Sequence, residues 1–245
     1  MVKIGGSVIT DKSRPFFLNH NNLDRLASAL ASYEGRLVIV HGGGSYAHPI
    51  AKRYGLTSVP AKIDPKGVTL TRLAVLTLHN EVVLSLLKAG VFVYSIQPLT
   101  LLQGSVAQIL NGVLSSNLTP VTYGDVISTG NGSYVISGDE LMRIIASSLK
   151  PKRVVFTVDV DGIYDTNPKN GRLLKEVSPN WLPKQSSEDG FDVTGRILGK
   201  VKEAQNIASM GLDVYFVSGL HPERVLKVLR GEETIATRVS GRVGS

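Results

Sequence analysis

Apolar runs typical of short strands alternate with amphipathic segments along almost the whole chain. In proteins with this pattern, parallel strands form a central sheet and the connecting helices cover its faces. The sequence predicts strands at 2–8, 36–41, 91–96, 119–123, 153–158 and 213–217. It predicts helices at 21–33, 44–55, 67–89, 105–115, 138–149, 196–210 and 221–230. The expected fold class is therefore α/β, with a mainly parallel sheet.

Two segments depart from this alternation. Residues 126–136, VISTGNGSYVI, predict a β-hairpin in which Asn131 and Gly132 supply positive φ at the tip. Residues 165–193 are rich in Pro, Asn, Ser, Lys and Asp, and they predict a long excursion with little helix. A loop of that length inside a compact domain is often functional.

The length of 245 residues suits one large α/β domain or two closely packed lobes. A soft boundary near residue 150 predicts two halves, 1–150 and 151–245, that form one structural unit. We expect no membrane span, because no apolar run approaches the roughly 18 residues that one requires. The first strand starts almost at residue 1, which leaves no room for a signal peptide. Because cysteine is absent as well, the sequence predicts a cytoplasmic enzyme.

The net charge of +7 is compatible with two kinds of partner, nucleic acid or a small polyanionic substrate. The positive residues are scattered along the chain, and only 6% of the residues are aromatic. No basic stripe interleaves with stacking residues, as binding of single-stranded nucleic acid requires. The pattern therefore argues against nucleic acid as a partner.

An apolar strand runs directly into three glycines in LVIVHGGGSYAH, residues 37–48. Gly42, Gly43 and Gly44 permit a sharp turn and let a ligand approach N–H groups that no side chain covers. The following helix presents unsatisfied N–H groups and the positive end of its dipole, which favour an anion. His48 lies one turn into this helix, close enough to face the anion.

The N-terminal segment VKIGGSVITDKS has the same arrangement, with Gly5, Gly6 and Ser7 following a short strand. Two such strand exits suggest that two phosphate groups are held face to face. Lys3 is either buried against a counter-charge or exposed on a terminal strand, and Lys12 is ambiguous alone. Together these residues form a cradle of backbone donors with two cations. Such a cradle suits a transferring phosphoryl group, whose catalysis is mainly positioning and charge neutralisation.

Residues at the starts of two later helices each allow two interpretations. Ser137, Gly138 and Asp139 open a helix, and their spacing favours a simple cap over a carboxylate that orients the lysines. Lys200 begins another helix and is either a solvated residue or a ligand of nucleotide phosphates.

The segment TVDVDGIY, residues 157–164, predicts a strand that leaves through two carboxylates. Ligands of open α/β sheets bind at the carboxyl ends of strands. Asp159 and Asp161 could contact ribose, a metal or only the turn, and an Asx turn is a strong alternative for Asp161. Tyr164 could flank a nucleobase or pack on the sheet.

Familiar nucleotide and metal motifs are missing. The chain has no G-x-G-x-x-G fingerprint, and the near P-loop at 195–200 lacks one spacer and has Val201 where Ser or Thr holds magnesium. Only His48 among the histidines has a motif context, and the others show no zinc-ligand spacing. We expect His41 to be structural.

Five segments occur in one order: VKIGGSVITDKS, VIVHGGGSYAH, ISGDE, TVDVDGIYDTNP and VTGRILGK. In this respect the chain resembles the amino-acid kinase superfamily, and within it the isopentenyl phosphate kinases of archaeal type. The resemblance spans nearly the whole chain. It implies a three-layer α/β/α sandwich, with the phosphate acceptor on half 1–150 and ATP on half 151–245.

The resemblance also implies roles for individual residues. Isopentenyl phosphate would contact Gly43, Gly44, His48 and Gly138. Lys3 and Lys12 would neutralise charge on the γ-phosphoryl group, and Asp139 would organise the lysines. The ATP side would comprise Lys3, Gly5, Gly6, Ser7, Gly44, Asp159, Tyr164, Asp165, Gly195 and Lys200, with Mg²⁺ held through the phosphates.

The implied reaction is direct in-line transfer from ATP to the terminal phosphate oxygen of isopentenyl phosphate. A carboxylate or UMP kinase of the same fold, and a nucleotide-binding sensor without catalysis, are the alternatives. The isoprenoid tail needs an apolar pocket, for which helix 67–89 could form a wall. An ordinary core stripe is the favoured reading for most of its apolar residues Leu70, Leu73, Leu76, Val83 and Leu87. The family analogy also implies a homodimer.

Overall fold

An eight-stranded sheet forms the centre of the computed structural model, which describes residues 1–11, 13–182 and 193–241. The strands are β1 (Val2–Ile4), β2 (Ile39–His41), β3 (Val93–Ser95), β4 (Thr119–Tyr123), β5 (Asp125–Thr129), β6 (Gly132–Ile136), β7 (Val154–Val158), β8 (Glu176–Val177), β9 (Val214–Ser218) and β10 (Thr237–Val239). The order in the main sheet is β3-β4-β2-β1-β7-β9-β10-β8. Neighbours are parallel except for β9 and β10. The sheet is therefore mainly parallel, as predicted.

The helices lie close to their predicted positions. They are α1 (Gly6–Ile9), α2 (His20–Ala31), α3 (Gly44–Arg53), α4 (Pro65–Lys88), α5 (Pro98–Gln103), α6 (Val106–Ser115), α7 (Gly138–Leu149), α8 (Val193–Ala208) and α9 (Pro222–Arg230). The sequence did not predict the short α1 and α5, or strands β8 and β10. The rejected P-loop segment 195–200 lies inside α8.

Side chains alternate between two cores on opposite faces of the sheet. On β2, Val40 points into one core and Ile39 into the other. The first core is covered by apolar residues of α6, α7 and α8, and the second by those of α2, α4 and α9. This arrangement is a three-layer α/β/α sandwich with a mainly parallel central sheet, and it confirms the expected fold class.

The first strand is shorter than predicted. The sequence predicted a strand over 2–8, but β1 ends at Ile4 and the chain turns at Gly5 into the one-turn helix α1. The apolar residues Val8 and Ile9 continue the strand pattern in sequence, yet they are buried on α1 against the second core.

Strands β5 and β6 form a separate antiparallel hairpin beside the main sheet, as predicted. Of the two tip residues, only Gly132 has a positive φ, at 120°, so Asn131 does not share that conformation. The outer strand bonds to the segment between α3 and α4, through a bridge between Ser133 and Ala61 and further along through Thr57. The hairpin and residues 57–61 therefore make a second, small sheet.

Helix α4 differs from its prediction in two respects. Among the described residues, α4 alone is long and apolar enough to cross a membrane. The prediction that no apolar segment reaches that length is therefore wrong. The helix nevertheless packs within the sandwich, where Leu78, Val82 and Leu86 belong to the second core. A core helix of a soluble protein passes the same test of length and composition.

The core stripe that we favoured on α4 is also wrong. None of its five residues is fully buried, and Leu73 and Leu87 are exposed. The buried stripe consists of other residues, among them Thr71, Ala74 and Val75. The outer face of α4 consequently exposes Leu73, Leu84 and Leu87 beside polar residues such as Thr77 and Asn80.

The main sheet is continuous between the two predicted halves, because β1 pairs with β2 on one side and with β7 on the other. The carboxyl ends of these three parallel strands lie side by side. Gly5, Gly42 and Asp159 follow those ends directly. Residues 165–182 contain no helix, in keeping with the predicted excursion, and the part at 183–192 lies outside the described residues.

Candidate active site

The two glycine turns contact each other backbone to backbone at the carboxyl ends of β1 and β2. A Cβ atom on Gly6 would lie 2.7 Å from both the N and the Cα of Gly44. Gly44 has a φ of +50°, and a Cβ on it would overlap the hydroxyl of Thr10. Only glycine fits both positions, so the turns pack as closely as two backbones can.

The first backbone N–H groups after each turn have no acceptor within their own helix. Gly6 and Ser7 begin α1, and Gly44 begins α3 after the cap residue Gly43. The first N–H groups of a helix have no carbonyl partner within it, and they lie at the positive end of the dipole. The turns can therefore bind two anionic groups next to each other.

His48 lies on α3 one turn beyond Gly44, as predicted, and it is exposed. Pro49 follows it and has no N–H to donate to the carbonyl of Ser45. That carbonyl instead accepts the N–H of Phe16, at 3.4 Å. The helix that carries His48 is thus joined to the loop that follows α1.

A largely buried carboxylate lies between two lysines beside the turns. Lys3 Nζ is 2.7 Å from Asp139 Oδ1, and Lys200 Nζ is 3.0 Å from Asp139 Oδ2. The side chain of Lys3 is only 4% exposed, which selects the buried alternative left open by the sequence. Strand β1, helix α7 and helix α8 each supply one member, although they lie far apart in sequence.

Asp139 is not the cap of α7, although the spacing favoured a simple cap. The cap is Ser137, whose side chain accepts the N–H of Glu140 at 3.0 Å. Gly138 lies between Ser137 and Asp139 in sequence. Its lack of a side chain leaves room for Lys3, since a Cβ there would lie 3.0 Å from both Lys3 Cε and the carbonyl oxygen of His41. The segment therefore both caps the helix and places a carboxylate between the lysines.

Electrostatics keep this triad charged. Burial lowers the pKa of Lys3 from 10.5 to about 8, and the charge of Asp139 opposes that shift. Burial alone would raise the pKa of Asp139, but the charges of Lys3 and Lys200 outweigh it and bring that pKa to about 2. Near neutral pH the triad therefore presents net positive charge to the crevice.

The end of β7 carries the predicted nucleotide-side residues. Asp159 is exposed directly after the strand. Asp161 is not used only in a turn, because its carboxylate lies 2.6 Å from Nη1 of Arg224 on α9. The hydroxyl of Tyr164 lies 3.5 Å from the other oxygen of Asp161. Asp165 accepts the N–H of Arg172 at 2.8 Å and so closes the loop that follows.

Two predicted site residues have limited or no structural description. Lys12 lies outside the described residues. Gly195 lies in the first turn of α8, and Lys200 follows it on the same helix. The remaining predicted residues are distributed around the carboxyl ends of β1, β2 and β7.

His41 and His79 are interior groups, whereas His20 and His221 are exposed. Burial lowers the pKa of His41 to about 3 and that of His79 to about 4, so both rings are neutral. Nε2 of His41 lies 3.0 Å from Nδ1 of His79, and both rings pack on Tyr123. His41 thus occupies the interior, as expected. Among the described residues, no three His, Asp or Glu side chains are grouped as a metal site.

Three polar residues at the crevice escaped the sequence analysis. They are Thr10, Thr157 and Arg224. Thr157 accepts the N–H of Gly5 at 2.9 Å, and Thr10 bonds to both turns. Apart from Gly6, which precedes Thr10 by four residues, their partners lie far away in sequence, so no local signal reveals them.

Comparison with known proteins identifies relatives over nearly the whole chain. Residues 1–218 match the Amino acid kinase family. Isopentenyl phosphate kinase of Methanothermobacter thermautotrophicus is 34% identical, with 99% of each chain covered. The enzyme of the same name from Methanocaldococcus jannaschii is 30% identical, with 95% of each chain covered.

A solved structure has the same fold. The product complex of isopentenyl phosphate kinase from Thermoplasma acidophilum superimposes with a TM-score of 0.78 at 28% identity. The match covers 96% of this chain and 97% of that one. The chain belongs to the amino acid kinase family, within its isopentenyl phosphate kinase branch.

Proposed function

We propose that this protein transfers the γ-phosphoryl group of ATP to isopentenyl phosphate, giving isopentenyl diphosphate and ADP. The observation that carries the proposal is the contact between two glycine turns beside the triad Lys3–Asp139–Lys200. Two adjacent anion sites with cations beside them suit transfer between two phosphates. The names of the relatives supply the identity of the acceptor.

The acceptor phosphate lies on the second turn in this proposal. The N–H groups of Gly43 and Gly44 bind its oxygens, Gly138 lies next to them, and the imidazole of His48 donates a further hydrogen bond. A phosphate monoester is already anionic near neutral pH, because its second pKa is about 6. Its terminal oxygen attacks the γ-phosphorus without help from a general base.

The donor phosphates lie on the first turn. Gly6 and Ser7 contribute backbone N–H groups, whereas the predicted donor Gly5 only shapes the turn, because its N–H already donates to Thr157. Lys3, Lys12 and Lys200 stabilise the negative charge. Asp139 keeps Lys3 and Lys200 oriented. The bond between the γ-phosphorus and its bridging oxygen breaks in line, and ADP leaves with that oxygen.

The nucleoside part of ATP lies on half 151–245 in this proposal, and the acceptor on half 1–150. Asp159, Tyr164, Asp165 and Gly195 flank the nucleotide. Mg²⁺ supplies further charge neutralisation when it is bound. Phosphate oxygens and water are its preferred ligands at kinase sites, so the ATP phosphates can hold it without a cluster of carboxylates.

The isoprenoid tail needs apolar contacts next to the second turn. Ala47, Val75 and Tyr123 form a small apolar cluster separate from the two main cores. A Cβ on Gly43 would meet Ala47, so this cluster adjoins the acceptor turn. We place the start of the tail against these residues.

Release of ADP from MgATP with a panel of acceptors tests the proposal. The panel comprises isopentenyl phosphate, dimethylallyl phosphate, acetylglutamate, carbamate and UMP. We expect turnover with the isoprenoid phosphates alone, because only they combine a phosphate for His48 with an apolar tail. Turnover confined to UMP or a carboxylate would show that the site catalyses another kinase reaction. ATP binding without turnover of any acceptor would favour a nucleotide sensor.

We further propose that the enzyme is a cytoplasmic homodimer. The outer face of α4 exposes Leu73, Leu84 and Leu87, and Phe92 and Tyr94 are exposed at the edge strand β3. Burial of such a face against a second copy removes apolar area from water. Sedimentation should give twice the mass of the chain, and Leu87→Glu should shift it towards the monomer. A monomeric wild-type protein would contradict the assembly.

A further inference from the structure

A single buried hydroxyl connects the two glycine turns. Thr10 Oγ1 donates to the carbonyl oxygen of Gly6 at 2.7 Å and accepts the N–H of Ser45 at 2.9 Å. The residue is 4% exposed, so water does not compete for either bond. Gly6 belongs to the first turn and Ser45 to the start of α3, directly after the second.

The hydroxyl fixes the two turns relative to each other. The N–H of Thr10 also bonds to the Gly6 carbonyl, at 2.9 Å, so the residue is attached to the first turn twice. The bond between its hydroxyl and the N–H of Ser45 connects the first turn to α3. The backbones of Gly6 and Gly44 are already in contact, which prevents closer approach. The two hydrogen bonds of the Thr10 hydroxyl resist separation of the turns.

We infer that Thr10 is a positioning residue for phosphoryl transfer, whose hydroxyl sets the separation between donor and acceptor phosphates. The inference rests on the proposed function, since it needs one phosphate on each turn. In-line transfer requires the reacting atoms to be held about 3–3.5 Å apart, and a displacement of about 1 Å can lower the rate about 10²-fold. Thr10 touches neither phosphate in this arrangement and acts through the two turns.

The variant Thr10→Val tests this role, because valine keeps the shape of threonine and removes only the hydroxyl. We expect kcat with MgATP and isopentenyl phosphate to fall about 10- to 100-fold. The dissociation constants of ATP and of isopentenyl phosphate, each measured alone by calorimetry, should change less than about threefold, since each turn keeps its own donors. Thr10→Ser restores the hydroxyl and should recover most of kcat.

Thr71→Val is the matched control. Thr71 is also buried, and its hydroxyl also donates to the carbonyl four residues earlier, that of Gly67, at 2.8 Å. This bond lies within α4 and connects no turns. Thr71→Val should lower the melting temperature as Thr10→Val does, but it should leave kcat at the wild-type value.

The outcomes separate the inference from the function on which it rests. Wild-type turnover in the same assay tests the function, and the kcat ratio of Thr10→Ser to Thr10→Val tests the positioning role. An active wild type with equal kcat in both variants would overturn the positioning role alone. So would a Thr10→Val protein that loses stability but no kcat. An inactive wild type would overturn the proposed function as well.

Discussion

Lys3→Met is expected to lower kcat about 10³-fold, while ATP still binds. Removing one preorganised charge or donor from a transition state costs about 10²- to 10³-fold in kcat, and cations on a transferring phosphoryl group reach the upper end. Methionine fills the volume of the buried stem, and Lys200 remains as a partner for Asp139, so the carboxylate is not left unpaired. Steady-state turnover and calorimetric ATP binding measure the two effects separately.

The control for this variant is Lys202→Met, which removes an exposed lysine from the same helix as Lys200. It should leave both kcat and ATP affinity unchanged. If Lys3→Met lost ATP affinity by the same factor as turnover, Lys3 would be a general nucleotide-binding cation. The sequence makes a parallel prediction for Lys12→Ala, which should abolish turnover and largely preserve nucleotide binding.

The pH dependence of the wild-type enzyme gives a second test of Lys3. Its charged form is the active one, and its pKa of about 8 in the unliganded protein means that kcat/KM should fall as pH rises through that value. Bound phosphates favour the ammonium form, so kcat should fall only at higher pH. An active Lys3→Arg variant would lose this alkaline limb, because guanidinium stays charged. An unchanged limb in that variant would assign the titration to another group.

The second large effect is expected for His48→Ala, which should weaken isopentenyl phosphate about 10- to 100-fold. A hydrogen bond to a charged group contributes about 1.5–3 kcal/mol, which corresponds to that range. The affinity for ATP should remain nearly unchanged, because the acceptor turn and not the donor turn precedes His48 on α3. Calorimetric titration of each ligand alone measures the two affinities.

His48→Gln is the conservative variant for this position. Its amide retains a neutral N–H donor, so it should keep more affinity for isopentenyl phosphate than alanine does. Equal losses of ATP and acceptor affinity in His48→Ala would remove His48 from the acceptor site. Equal affinities of the alanine and glutamine variants would exclude hydrogen-bond donation as its role.

Long helices and strands were predictable from the sequence, because the spacing of apolar residues along such a segment depends on that element alone. Strand β4 and helix α7 have the predicted bounds, and α4 differs by only one or two residues at each end. The strand predicted over 2–8 failed because a one-turn helix buries its residues in the same core as the strand. Strand β8 has only two residues, too few for any periodicity.

The candidate site was predictable where its residues are close together in sequence. It was not predictable where they meet only because separate helices and strands pack together. The glycine turns and His48 follow one another in sequence, and their positions agree with the structure. The burial of Lys3 could not be decided, because it depends on helix α7 bringing Asp139 over β1. Thr10 and Arg224 carry no signal of their own, since a threonine in a turn or an arginine on a helix is ordinary.

The small sheet of β5, β6 and residues 57–61 ties the connection between α3 and α4 to the hairpin. Ser133 bonds to Ala61 in both directions, so these segments are held by their own hydrogen bonds beside the main sheet. Residues 57–61 lose these partners whenever the hairpin opens, so the two segments open together as one local unit. Hydrogen exchange should therefore protect the amides of Ala61, Ser133 and Val135 to a similar degree.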